Sequence, residues 1–151
     1  MEKNALTITV GILLILYALI NLGAAFGEYT KAEFVSGTAS TASELGRMAG
    51  DYYGASKIRN QGNKISLVFY LIAFFIFATS VLDFVASVGI FSGASWASGV
   101  LIVAAFCGIL VEIQDIVEDG FGPPKILFLL LNILALSTGF WGRQDSLETT
   151  N

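Results

Sequence analysis

Residues 108–120 read GILVEIQDIVEDG, an apolar stretch that turns acidic without a break. Glu112, Asp115 and Asp119 fall at i, i+3 and i+7, one face of a helix, with Glu118 beside them. Carboxylates so placed can hold a proton, pair with a base or ligate a hard cation. They also crowd the C-terminal, negative pole of the helix, where anions are disfavoured. Compensation is therefore expected, from Lys57, Arg59 and Lys64 in the long first loop and from Lys125. The expectation is a salt-bridged lid, with Glu112, the deepest acid, most dependent on its partner. Oxygen ligands suit calcium or magnesium, but no calcium-loop spacing is present and no metal site is assigned.

Ionisable or amide side chains inside apolar runs are costly and are candidates for function. Asn21, Tyr70, Glu112 and Asn132 come from four separate runs and fall at a similar depth from one end. They are expected to form one layer of hydrogen bonds, each contributing roughly 0.6–2 kcal/mol. Asp83 lies toward the opposite end, near Thr79 and Ser80. If its helix stops there, Asp83 is interfacial. If the helix continues to Ile90, Asp83 is submerged and faces Thr7, Thr9, Ser137 or Thr138.

Much chemistry is excluded. Histidine is absent, which removes imidazole-ligated zinc, His-ligated haem and Ser-His-Asp catalysis. The single cysteine, Cys107, can form neither an internal disulfide nor a CxxC pair. Dinucleotide, P-loop, HExxH and GxSxG motifs are missing, and no cofactor is expected. A net charge of −4 and a pI near 4.6 argue against a nucleic-acid partner.

The elements that must carry these residues are long apolar runs. Mean hydropathy is +0.74 and 55% of the residues are apolar, too much for an ordinary soluble core. Runs at 6–26, 65–88, 96–116 and 125–141 each match the roughly 20 helical residues that a ~30 Å hydrocarbon layer requires. The first is too long for the apolar part of a signal peptide. Strands that cross a bilayer alternate in polarity, and these runs do not. Pro123 and Pro124 suit a helix's first turn and mark the start of the fourth run. The predicted fold is an all-α integral membrane protein, one domain, with a four-transmembrane-helix bundle. Trp96 and Trp141 then lie at one interface, as aromatic belts prefer. Lys31, Arg47, Lys57, Arg59, Lys64 and Lys125 lie on one side of the four crossings, against Lys3 and Arg143 on the other. The positive-inside rule puts the first and third loops in the cytoplasm and both termini outside.

The loop 27–64 contains Thr41-Ala-Ser-Glu44, a capping box. Leu45, Met48, Tyr52 and Ala55 follow at helical spacing, and Arg47 and Asp51 form an i,i+4 pair. An additional amphipathic helix is predicted from about Ala42 to about Arg59. Its Gly46, Gly50 and Gly54 form a small-residue ridge that lets a second backbone approach, as do Gly89 and Gly93 before the third run. Tyr52 and Tyr53 suit the headgroup level, and Lys57, Arg59 and Lys64 suit anionic lipid. No internal repeat is evident. The tail, 142–151, reads as short, polar and mobile.

Three functions follow as expectations. The first is a non-enzymatic packing or accessory subunit of a homo-oligomer or larger membrane complex. The second is a small oligomeric transporter or channel that moves protons or cations through Asp83, Glu112 and Asp115. The third is a membrane enzyme on a hydrophobic substrate, using Tyr52, Tyr53 and Arg59. The partners expected are the lipid bilayer and other membrane subunits.

Overall fold

The computed structural model describes the backbone of residues 5–148. Lys3 and the last three residues of the tail lie outside them. Four helices account for nearly all of it: α1 (Ala5–Met48), α2 (Tyr52–Ser92), α3 (Ala97–Asp119) and α4 (Pro123–Glu148). All four are long and apolar enough to cross a membrane. The first 92 residues contain no proline, so nothing obliges α1 or α2 to stop early. At ~1.5 Å per residue, the 44 residues of α1 and 41 of α2 extend to roughly 66 and 62 Å.

This corrects the sequence reading of residues 27–64. The segment is not a loop with its own helix; it is the second half of α1, a tight turn and the first part of α2. Thr41 does not cap a helix, because its hydroxyl donates back to the Gly37 carbonyl within α1 (3.1 Å). The break comes at Gly50, whose φ of 86° ends α1. Gly50 N–H donates to Arg47 O and Asp51 N–H to Gly46 O, the pair of bonds that closes a Schellman turn. Asp51 then caps α2, its carboxylate accepting the Gly54 N–H at 2.8 Å. The tail is corrected too: α4 continues through it to Glu148.

The chain forms two compact units, Met1–Asn21 with Ala78–Asn151, and Leu22–Phe77. The second unit is an antiparallel helical hairpin. Its seam is built from small side chains: Ala25, Ala32, Ala39 and Ser43 of α1, and Ala55, Ser66 and Ala73 of α2, are buried. A methyl group built on Gly62 would overlap the Ala39 Cβ, and one on Gly46 would lie 3.3 Å from the Ala55 Cβ. Gly11, Ala18, Ala25, Ala32, Ala39 and Gly46 recur every seventh residue along α1, the period of two helices that wind closely around one another. This is a repeat that the sequence reading did not register.

The first unit is a four-helix bundle whose core joins Val10 and Leu14, Ala86 and Ile90, Leu101, Ala104 and Ala105, and Ala135. Its polarity is inverted. Thr7, Asn21, Ser80, Asp83, Ser87, Ser98, Glu112, Asn132 and Thr138 are buried, whereas Leu16, Leu19, Phe84, Phe106, Leu127 and Leu130 are exposed. Water would expel those apolar side chains from its contact; hydrocarbon accepts them and drives polar groups inward.

The polar interior as candidate functional site

Two separate features occupy the interior of the bundle. The first is centred on Tyr17 of α1, which the sequence reading missed. Its hydroxyl donates to Glu112 Oε1 at 2.7 Å, in a buried hydrogen bond between α1 and α3. The ring packs against Phe128 of α4 at a centroid distance of 5.2 Å. Asn21, one turn beyond Tyr17 on the same face, and Asn132 of α4 lie beside the same hydroxyl. Asn132 donates to the Phe128 carbonyl at 3.0 Å. It reaches this place because residue 108 on α3 is glycine: a methyl there would overlap the Asn132 amide. The cluster is incompletely satisfied, since Asn21 Nδ2 and Asn132 Oδ1 have no hydrogen-bond partner among the described residues.

The second feature is Asp83. Because α2 continues to Ser92, Asp83 lies more than two turns inside the helix and is 0% exposed. Among the described residues, neither carboxylate oxygen has a hydrogen-bond partner. Thr9, Ser137 and Thr138, which the sequence offered as partners, donate instead to carbonyls one turn back in their own helices. Ser87 donates to the backbone carbonyl of Asp83, not to its side chain. Cys107 of α3 is within electrostatic range.

Of the predicted polar layer, the structure brings together Asn21, Glu112 and Asn132. Tyr70 is not among them; it belongs to the hairpin, where it donates to Glu33 and packs against Tyr29 at 5.6 Å. Of the four bases expected to neutralise the acidic end of α3, Lys125 does so and the other three do not pair among the described residues. Lys57, Arg59 and Lys64 are in the hairpin unit and make no ion pair among the described residues. Lys125, from the first turn of α4, meets the acidic end of α3. It donates to the Asp115 carbonyl at 2.7 Å and lies 3.6 Å from the Asp115 carboxylate and 3.3 Å from that of Asp119. A short connection, Gly120–Gly122, folds α4 back so that its own first basic residue neutralises the end of α3.

The glycines divide by role. Gly46 borders the hairpin seam, Gly50 is the turn, and Gly54 sits against the Asp51 cap. Gly89 admits the Trp96 ring and Ala97 to close contact, while Gly93, at φ 72°, ends α2. Gly50 and Gly93 therefore terminate helices and do not form packing ridges.

No family model matches this chain, and no curated protein or solved structure does. Its chemistry must be read from the geometry alone. Among the described residues, no three His, Cys, Asp or Glu side chains are grouped to hold a metal ion. A phenol bonded to a carboxyl group, and a second carboxyl without a donor, are groups that can store or hand on a proton.

Proposed function

We propose that the chain is a non-enzymatic integral membrane protein that crosses the bilayer four times and assembles with further copies of itself. The turn between α1 and α2 and the α3–α4 connection face the cytoplasm, and both termini face the opposite side. The observation that carries the assembly reading is the surface around the turn. Leu45, Met48, Tyr52 and Tyr53 are 62–87% exposed there, among Glu44, Arg47, Lys57 and Arg59. The buried part of the hairpin seam is built largely from small side chains, and these large ones stand outside it, open to a partner.

Native mass measurement in lipid nanodiscs tests this. Oligomers are expected, and Leu45→Ser/Met48→Ser/Tyr52→Ser/Tyr53→Ser should reduce them to monomer. A monomer in both cases would refute self-assembly through this surface.

Asp83 favours a second reading, a proton- or cation-conducting oligomer. A carboxyl group without partners is an expensive way to fill a core, and an ion pathway is one reason to keep it. Proton flux into proteoliposomes, compared between the parent and Asp83→Asn, separates the two readings.

A further inference from the structure

The first unit contains two buried carboxyl groups, and they are not alike. Glu112 has a donor, Tyr17, and is one turn from Asp115, where Lys125 binds. Asp83 has no donor on either oxygen among the described residues. Its ionised form would leave a full charge in the bundle interior with no side-chain or backbone donor among the described residues, whereas its acid form carries none. The other ionisable groups of the surrounding helices do not relieve this. The Cys107 thiol of α3 is within electrostatic range and brings no positive charge. Tyr17 of α1 and Glu112 of α3 are bonded to one another, and Lys125 of α4 is bonded to Asp115 and Asp119. No base forms an ion pair with Asp83 among the described residues.

We propose that Asp83 is a proton-binding site inside the bundle, holding a proton that it exchanges with the medium. The ligand is the proton itself; a metal cation would need several oxygen ligands, and no such group of ligands is present among the described residues. The proposal uses the residue that favours the conducting reading, but not conduction. A site can bind a proton without passing it across the bilayer, and the two are measured apart.

Infrared difference spectroscopy on the intact protein in phosphatidylcholine nanodiscs decides it. The difference between the parent and Asp83→Asn should contain the C=O stretch of a protonated carboxylic acid, displaced in heavy water. Raising the pH should convert that band to carboxylate bands while the helix content stays constant. Glu112→Gln should retain it. Should Asp83→Asn fail to fold, Asp83→Glu replaces it and is expected to shift the band. Loss of carboxylate bands at neutral pH in Asp83→Asn would overturn the proposal. So would an acid band that persists at every pH at which the protein stays folded, because a proton that never leaves is not a ligand. Absent proton flux in proteoliposomes would count against conduction and leave this result untouched.

Discussion

The seam of the hairpin makes a signed prediction at Gly62. In a helix interior, Gly→Ala is ordinarily stabilising by about 1 kcal/mol. At Gly62 the new methyl would overlap the Ala39 Cβ, with the Ala39 Cα at 3.6 Å and the Val35 carbonyl at 3.7 Å behind it. Neither obstacle has a rotatable side chain that could step aside, so the two helices must separate. Overpacking of this kind costs roughly 1–3 kcal/mol. Set against the propensity gain, Gly62→Ala should destabilise the hairpin by about 1 kcal/mol on balance. Gly37 supplies the control, because nothing lies within 4 Å of a methyl there; Gly37→Ala should stabilise by up to ~1 kcal/mol. Exchanging the pair, Ala39→Gly with Gly62→Ala, returns the methyl count of the seam to one. Propensity then cancels, and the double variant should match the parent to within ~0.5 kcal/mol. Denaturant unfolding followed by circular dichroism gives the stabilities, and amide exchange over residues 35–66 localises them. If Gly62→Ala gains stability as Gly37→Ala does, and the double variant shows no coupling, α1 and α2 do not touch there.

Tyr17→Phe should cost about 1–3 kcal/mol by removing the donor to Glu112, and a double-mutant cycle with Glu112→Gln should show coupling. Glu112→Ala should destabilise more than Asp119→Ala, because Asp119 is an exposed partner whose pairing with Lys125 contributes less than ~1 kcal/mol and fades with salt. Gly50→Ala should cost about 1–2 kcal/mol through its left-handed backbone, with Gly50→Asn losing less, read by thermal unfolding. In a Cys107→Ser background, cysteines introduced at Ala49 and Arg143 should label from opposite sides of a sealed vesicle; labelling from one side would remove the four-crossing arrangement.

The four helices were legible because hydrocarbon demands uninterrupted apolar runs, and those are visible without any partner. The ends of the helices were less so. Thr41 and Glu44 spell a helix start, yet a hydroxyl inside a helix can bond its own preceding turn, and sequence alone does not separate the two uses. Gly50 and Gly54 share the spacing of a packing ridge, but the dihedral angle at Gly50 decides its role. The polar layer was legible where amide and acid stand out in apolar text, as at Asn21, Glu112 and Asn132. Tyr17 was missed because a tyrosine in an apolar run resembles an interfacial anchor; its i,i+4 relation to Asn21 was the available signal. Lys125 was legible as a counter-charge for the acids of α3, but its role in place of Lys57, Arg59 and Lys64 depends on how the Gly120–Gly122 connection folds back, which charge counting by membrane side does not see.

The seven-residue recurrence of alanine and glycine along α1 has a mechanical corollary. A seam whose notches are nearly alike provides little resistance to sliding: a shift of one heptad, roughly 10 Å, sets alanine where alanine was. Large interlocking side chains would forbid that movement by shape; in the hairpin the contacts of Tyr70 with Glu33 and Tyr29 hold the alignment at one level instead. The short connection Ala49–Asp51 adds a second constraint at one end, by permitting a single path between the last turn of α1 and the first of α2. The hairpin is in this sense a vernier with two stops, and lengthening that connection while removing the Tyr70 contacts would release a family of alternative alignments with every helix left intact.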